Sequence, residues 1–312
     1  MTTTDGAVMT NLDSNPLATG THTIELNGIT QRYHVHGTGP VCVAHSGGPG
    51  VFWEYLRMPQ AEEHLTMVYV EPIGTGGSGR LASHPNGYTR DRYAEALDGL
   101  LDHFGTGPVY LLGHSHGGFV VQRYALKHPE RLAGIILYDS APLTGPEHGA
   151  ELMRNVETFL ARNAGNPDLP EVLGTLKSIS AISTDEGMTA ALAGIIPLYV
   201  ADYWNRQDEF VPLRAQVSGT YISGVDEHGV PDLIDDRGVL GSISLPTLVI
   251  VGRYDPICGL RWAEELHKLI PGSELAILEH SGHFGHLEEP ENFARALERF
   301  TRSRSTAATS PA

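Results

Sequence analysis

The sequence is poor in cysteine, in basic residues and in long apolar runs. Only Cys42 and Cys258 occur among 312 residues, so a disulfide-stapled scaffold is excluded and a cytoplasmic protein with free thiols is expected. Lysine and arginine number 21 against 37 aspartate and glutamate residues, a formal net charge of −16. Such a surface disfavours a nucleic-acid partner, whose phosphates need basic side chains. The longest apolar run, residues 188–200, is short and contains Pro197, so no membrane partner is expected either.

Neither end of the chain carries a targeting or core-forming pattern. Residues 1–20 have no basic segment followed by an apolar one, which disfavours a signal peptide. Residues 1–20 and 303–312 are therefore predicted to be disordered tails. The chain between them is long enough to bury one large core, with or without a lid.

The most informative segment is VYLLGHSHGG at residues 109–118. A β-favouring run stops at Gly113-His114-Ser115-His116-Gly117, and a helical pattern follows. A strand, a Gly-x-Ser-x-Gly turn and a helix form the nucleophile elbow of α/β-hydrolases. The turn is tight enough that larger side chains beside the serine would clash, which explains the two glycines. Ser115 is thus the predicted nucleophile.

Strand and helix patterns alternate on both sides of a helical interruption. Predicted strands cover 22–26, 29–36, 41–44, 65–70, 109–112, 135–138, 247–251 and 274–278, and predicted helices include 89–104, 261–270 and 291–300. This alternation predicts an α/β-hydrolase fold, a mostly parallel, doubly wound sheet. The core is assigned to 21–140 and 241–302. Residues 141–240 are predicted to form a helical cap over the carboxyl ends of the strands.

A serine nucleophile needs a base and a group that orients the base. Asp255 follows the strand at 247–251 and His283 follows the strand at 274–278, in the order Ser, Asp, His expected of this fold. His280 and His286 are the alternatives to His283, which Gly282 and the following Leu-Glu-Glu-Pro helix entry favour. Asp139, after the strand at 135–138, is the alternative acid.

Two backbone amides are expected to stabilise the oxyanion. One is the N–H of His116, directly after the nucleophile, and the other comes from the loop after the third strand, with Gly48 favoured over Gly47.

Two other patterns were considered for cofactor or metal binding. Gly74 to Gly79 matches GxGxxG, yet a loop follows it where a dinucleotide site needs a helix. His34 and His36 alternate along a strand without a metal-binding signature around them. No cofactor and no metal are therefore expected.

With these motifs, the chain resembles the prolyl iminopeptidase-like branch of α/β-hydrolases over about residues 22–300. The motifs that carry the resemblance are Gly47-Gly48-Pro49-Gly50, Ile73 to Gly76 with Gly79-Arg80, the elbow, Gly252 to Asp255 with Cys258, and Ser281-Gly282-His283. The resemblance implies a cofactor-free serine hydrolase that releases N-terminal proline from small peptides. It also implies that a cap holds the free amine and that Cys258 lies beside the site, where thiol reagents would inhibit.

The chain departs from that family's pattern at two positions. Ser46 stands where the family's first loop usually has histidine, and His116 stands where an aromatic residue often follows the nucleophile.

Three functions remain open from the sequence. A prolyl iminopeptidase-like aminopeptidase is favoured, and it would need cap carboxylates, for which Asp202, Asp208 and Glu209 are candidates. An esterase or lactonase acting on a small metabolite needs only the triad, the oxyanion donors and an apolar lid. A receptor-like α/β-hydrolase that binds a ligand and turns it over slowly is a minor alternative. In each case the partner is a small molecule or short peptide.

Overall fold

A single eight-stranded sheet forms the centre of the computed structural model, which describes residues 15–305 and the side chains of residues 15–302. The strands are β1 (Gly20–Leu26), β2 (Ile29–His36), β3 (Val41–His45), β4 (Thr66–Glu71), β5 (Val109–His114), β6 (Leu132–Tyr138), β7 (Thr247–Gly252) and β8 (Glu274–Leu278). Each predicted strand is present, with its ends within three residues of the predicted ones.

The sheet is mostly parallel. Its spatial order is β1-β2-β4-β3-β5-β6-β7-β8, with antiparallel pairing only at β1–β2 and β2–β4. Every residue of β5 and β7 is buried, as in strands that are covered on both faces. The predicted α/β-hydrolase fold is confirmed.

Helices cover both faces of the sheet. They are α1 (Pro59–Glu62), α2 (Arg90–Phe104), α3 (His116–Lys127), α4 (Pro146–Arg162), α5 (Leu169–Ser178), α6 (Asp185–Tyr199), α7 (Tyr203–Arg206), α8 (Val211–Gln216), α9 (Leu260–Leu269), α10 (Gly285–Glu288) and α11 (Pro290–Ser305). One apolar cluster joins the sheet to α2, α3 and α9, and a second joins it to α1 and α11. None of the helices between residues 15 and 305 is long and apolar enough to cross a lipid bilayer.

Helices α4 to α8 lie between β6 and β7, in the segment predicted to form the cap. Helices α4, α5 and α6 share a small apolar cluster, which contains Val156, Phe159, Val172, Ile195 and Leu198. The boundaries of core and cap stay a prediction.

The predicted tails lie mostly outside the described residues. At the N-terminal side, β1 already begins at Gly20, and Leu17 packs against the core. At the C-terminal side, α11 continues to Ser305, beyond the predicted boundary at 302, because no glycine or proline interrupts the segment after Phe300.

The register of the strands brings four chain segments together at one edge of the sheet. His45 pairs with Gly113, Gly113 with Leu137, and Tyr138 with Ile250. The loops that follow β3, β5, β6 and β7 therefore emerge side by side. These loops carry most of the predicted site residues.

Candidate active site

Ser115 occupies a strained turn between β5 and α3. Its φ and ψ are 53° and −119°, and its N–H donates to the carbonyl oxygen of Tyr138 at 2.9 Å. A Cβ at Gly113 would collide with the backbone of Gly117, and one at Gly117 would collide with the carbonyl of His45. These close approaches are the physical reason for the two glycines, and strain of this kind is concentrated at functional sites.

His283 and Asp255 face each other, and both are buried. Nδ1 of His283 lies 2.9 Å from Oδ2 of Asp255, although the ring N–H is not aligned for a hydrogen bond with any described acceptor. The carboxylate of Asp255 accepts the N–H groups of Ile257 at 2.8 Å and Cys258 at 3.2 Å. The N–H of His283 donates to the carbonyl oxygen of Tyr199 at 2.6 Å. Hydrogen bonds with the backbone thus fix the Asp255 carboxylate and the main chain at His283.

The two alternative histidines are placed elsewhere. His280 is exposed. Both ring nitrogens of His286 are engaged, Nδ1 with the Tyr138 hydroxyl at 2.9 Å and Nε2 with the Tyr55 carbonyl at 2.7 Å. Within the described residues, His283 alone pairs with Asp255.

Ser115 and His283 line the same cavity, with Cys258 beside the serine. The Ser115 hydroxyl is near the thiol of Cys258, whose Sγ lies 3.8 Å from Nε2 of His148, and no hydrogen bond joins Ser115 to His283 in the described part of the chain. Burial raises the pKa of the Cys258 thiol well above its usual value, and the nearby charges of Asp255 and Asp139 raise it further. The thiol is therefore a neutral neighbour of Ser115.

A hydrogen-bonded chain connects the first loop to the histidine loop. The N–H of Gly47 donates to the Tyr55 hydroxyl at 2.8 Å, and that hydroxyl lies 2.6 Å from Nδ1 of His114. Nε2 of His114 lies 2.9 Å from the carbonyl oxygen of His283. Because a carbonyl only accepts, Nε2 carries the proton, and Tyr55 must donate to Nδ1. Burial and the neighbouring histidines lower the pKa of His114 well below its usual value, so the ring is neutral.

This chain of bonds distinguishes the two candidate donors of the first loop. The Gly47 amide is already used by Tyr55, whereas no described residue accepts the N–H of Gly48 or of His116. Gly48 lines the cavity and has a φ of 124°, which disfavours any other residue there. The structure therefore favours Gly48 and His116 as the two free amides.

The two departures from the family's pattern do not reach the cavity. The His116 ring is buried against Tyr93, with ring centroids 5.8 Å apart, and burial lowers its pKa to about 3. The Ser46 hydroxyl donates to the carbonyl of Val51 at 3.3 Å. Neither residue is part of the cavity lining, so neither shapes the substrate pocket directly.

Asp139 lies close behind the histidine. It is fully buried and has a φ of 44°, and its Oδ1 accepts the N–H of Gly252 at 2.8 Å. One atom each of Asp139, His114 and His283 lie within 4.8 Å of one another. Since both nitrogens of His114 are used in hydrogen bonds, these three side chains do not offer a three-ligand metal site.

The cavity has a volume of about 250 Å³ and an apolar lining. Helix α6 contributes to this lining, as do the loop glycines, Ser115 and His283. The lining consists of Gly47, Gly48, Pro49, Val51, Phe52, Tyr55, His114, Ser115, Ile179, Met188, Ala191, Leu192, Ile195, Ile196, Tyr199, Leu213, Val217, Ile222, Ile257, His283 and Phe284. Among the described residues, no aspartate or glutamate contributes to this lining.

Glu288 is a residue at the site that the sequence analysis missed. Its carboxylate accepts the N–H groups of Ala201 at 2.7 Å, Gly282 at 2.8 Å and Phe284 at 3.4 Å. Burial raises its pKa to about 7. Glu288 thus ties both neighbours of His283 to the segment after α6. The Leu-Glu-Glu-Pro segment that contains Glu288 was visible in the sequence, but the inward orientation of this side chain was not.

The two patterns considered for cofactor or metal binding have structural partners. The turn at Gly74 to Gly79 packs on Glu71, whose carboxylate accepts the N–H of Gly77, and the next helix begins only at Arg90. Both ring nitrogens of His34 are engaged, with Thr21 at 2.9 Å and Glu71 at 2.6 Å.

Proteins similar to this chain include a peptidase, a hydrolase and an esterase. A proline iminopeptidase of Saccharolobus solfataricus is 29% identical over 280 residues, 86% of each chain. A 2-hydroxymuconate semialdehyde hydrolase of Pseudomonas putida is 25% identical over 278 residues, 85% of each chain. A thermophilic esterase from Thermogutta terrifontis superposes with a TM-score of 0.67 and 26% identity, covering 90% of this chain and 97% of the esterase.

These similarities confirm the predicted resemblance to proline iminopeptidase-like α/β-hydrolases. The sequence model of the alpha/beta hydrolase fold family matches residues 40–290. The chain belongs to the α/β-hydrolase fold family and is a hydrolase of that family.

Proposed function

We propose that the protein is a cofactor-free serine hydrolase that cleaves uncharged carboxylic esters or lactones with an apolar acyl part. The Ser115 side chain turns towards His283, which removes its proton as the serine oxygen attacks the carbonyl carbon. Asp255 stabilises the imidazolium that forms. The amides of Gly48 and His116 donate to the oxyanion.

The tetrahedral intermediate collapses as His283 returns the proton to the leaving alcohol oxygen. A water molecule then gives a proton to His283 and attacks the acyl-enzyme. The second intermediate releases the acid and restores the Ser115 hydroxyl, so atoms and protons balance over the cycle. In a lactone, the leaving oxygen stays attached to the acyl part.

The apolar lining of the cavity is the observation that carries the choice of substrate. Burying a substrate ammonium group is costly unless a carboxylate lies beside that group. The described lining of the cavity contains no carboxylate. An uncharged acyl chain, by contrast, gains about 25 cal/mol per Å² of apolar surface that it buries. The cavity therefore suits an ester or lactone better than a free N-terminal amine.

The carboxylates suggested for amine binding are exposed and outside the cavity lining. Asp202 accepts a hydrogen bond from Asn205 at 2.8 Å, and Glu209 pairs with Arg206 at 2.7 Å. Asp208 is exposed on the same short segment.

Release of N-terminal proline is the second candidate. It is supported by the 29% identity to the Saccharolobus proline iminopeptidase and by the Gly47-Gly48-Pro49-Gly50 loop. For this activity, a carboxylate would have to approach the cavity from outside its present lining.

A substrate panel separates the two candidates. Initial rates are measured with p-nitrophenyl acetate, butyrate and hexanoate, with a γ-lactone, and with proline p-nitroanilide. The proposal expects turnover of the esters or the lactone and no release from the anilide. Turnover of the anilide without the esters would overturn it in favour of the second candidate, and tight binding of an ester without turnover would indicate a receptor-like protein.

Two serine variants serve as controls. Ser115→Ala should lose all turnover above background. Ser140→Ala removes another buried hydroxyl that has no hydrogen-bond partner in the described structure, and it should keep the wild-type rate.

A further inference from the structure

Two carboxyl groups, rather than one, lie behind the imidazole of His283. Asp139 follows β6 and Asp255 follows β7, and these strands are neighbours in the sheet. The exposed fractions of the two residues are 0% and 2%. Oδ2 of Asp255 lies 2.9 Å from Nδ1 of His283, and a carboxyl oxygen of Asp139 lies within 4.8 Å of a ring nitrogen of the same histidine. Two buried carboxylates that lie this close to one imidazole ring repel each other unless one of them holds a proton.

The hydrogen bonds of each oxygen indicate which of the two carboxyl groups can hold that proton. Both oxygens of Asp255 accept backbone N–H groups, from Ile257 and Cys258, and its Oδ2 is the atom next to His283. Asp139 accepts one N–H, from Gly252 at its Oδ1, while its buried Oδ2 has no donor. A proton on this oxygen supplies the missing hydrogen bond, because a protonated carboxyl donates to a carboxylate.

We propose that Asp139 is a positioning residue that holds the single proton of this pair and donates it to Asp255, and that it takes over the role of Asp255 when that residue is replaced. The inference rests on the serine hydrolase function proposed above. The pair carries one negative charge in total, and this charge faces the imidazolium of His283 when the serine proton is transferred. Burial and the charge of Asp255 both raise the pKa of Asp139 well above its usual value, in agreement with this assignment.

The reserve role of Asp139 depends on its closeness to His283. A carboxylate oxygen of Asp139 is within that distance of a ring nitrogen of His283. When Asp255 becomes asparagine, the repulsion between the carboxylates disappears and Asp139 is free to ionise. Its charge then stabilises the imidazolium from a slightly longer distance.

Asparagine and alanine variants test the positioning role. Asp139→Asn keeps an N–H donor for Asp255 and an oxygen for Gly252, so kcat should fall by less than about tenfold. Asp139→Ala loses both, and kcat should fall by about 10²-fold, as for other misplaced catalytic groups. Equal kcat values for the two variants would overturn the positioning role. Urea unfolding of each variant identifies any that fail to fold.

A double variant tests the reserve role. Loss of the only orienting carboxylate in a serine triad costs about 10⁴ in kcat. In Asp255→Asn, kcat should fall by clearly less than about 10⁴-fold. In the double variant Asp139→Asn with Asp255→Asn, kcat should fall by about the full 10⁴-fold. If the double variant is as active as Asp255→Asn alone, Asp139 has no reserve role.

Infrared difference spectroscopy tests the proton directly and does not depend on turnover. The spectrum of wild type minus Asp139→Asn at neutral pH should contain the C=O stretching band of a protonated carboxylic acid. A spectrum with carboxylate bands only would overturn the proposal even in an active enzyme. Conversely, activity that survives Ser115→Ala would contradict the proposed function and leave the infrared result standing, so the two failures are distinguishable.

Discussion

The hydroxyl of Tyr55 lies 2.6 Å from Nδ1 of His114 and at the same time accepts the N–H of Gly47. One phenol therefore sets the position of the first loop and the tautomer of His114, the residue before Ser115. Through Nε2, His114 also holds the backbone of His283.

Tyr55→Phe should therefore weaken both stability and catalysis. The substitution leaves two buried groups without a partner, which costs about 1–3 kcal/mol of unfolding free energy. Displacement of the loop and of His283 should lower kcat by about 10- to 100-fold. Urea unfolding and initial rates measure the two effects.

Tyr69→Phe is the matched control for that variant. The Tyr69 hydroxyl is likewise engaged twice, with the N–H of Met58 at 2.9 Å and with Glu62 at 2.8 Å, but outside the cavity. It should lower stability comparably and leave kcat unchanged. An equal loss of kcat in both variants would contradict the specific role of Tyr55.

Helix α6 should determine the acyl length that the enzyme accepts. Ala191 lines the cavity, so Ala191→Leu narrows a space of about 250 Å³. The ratio of kcat/KM for the hexanoate ester to that for the acetate ester should fall by about tenfold or more, since one methylene in a pocket is worth 10- to 200-fold. Ala193→Leu, on the same helix but outside the lining, should leave the ratio unchanged. A fall in both variants would place the acyl chain elsewhere.

The stability of the protein should depend on Glu288 between about pH 4.5 and pH 7. Its pKa is about 7 in the folded protein against 4.5 for the free side chain. In this window the folded state keeps a proton that the unfolded state has lost, so the free energy of unfolding falls as pH rises. Glu288→Gln cannot titrate. Relative to this variant, wild type should lose up to about 3 kcal/mol between about pH 5 and about pH 8.

Glu289→Gln is the control for the Glu288 measurement. The pKa of Glu289 is lowered below 4.5, despite the opposing effect of its burial, because Ser281, His280 and Asn292 donate hydrogen bonds to it. It is therefore ionised in both states between about pH 5 and about pH 8, and the difference from wild type should not change with pH. A pH-independent difference for Glu288→Gln as well would show that its pKa is not raised.

Cys258 should react slowly with thiol reagents, although it lies beside Ser115. The thiol is buried and its pKa is raised, so little of the reactive thiolate is present at neutral pH. Iodoacetamide should modify Cys258 much more slowly in the native protein than in urea, as followed by peptide mass spectrometry. Rapid native alkylation with loss of activity would instead match the inhibition that the family resemblance implied.

The sequence predicted the sheet well because each strand is a short β-favouring run bounded by turn residues. It also predicted that the segments carrying Ser115, Asp255 and His283 would meet, since parallel strands share one carboxyl edge. It could not reveal that the N–H of Gly47 donates a hydrogen bond to the Tyr55 hydroxyl, because that contact depends on a side chain eight residues away. Nor could it show that Asp139 lies near His283 together with Asp255, because that arrangement depends on how β6 and β7 pair in the sheet.

The most direct test of the account is the labelling of Ser115 with a fluorophosphonate, read by intact mass and peptide mapping. We expect one adduct per chain, located on Ser115, and none on the Ser115→Ala variant, while Ser140→Ala is labelled as wild type. Absence of an adduct on wild type, or an adduct on another residue, would contradict a serine nucleophile at this turn.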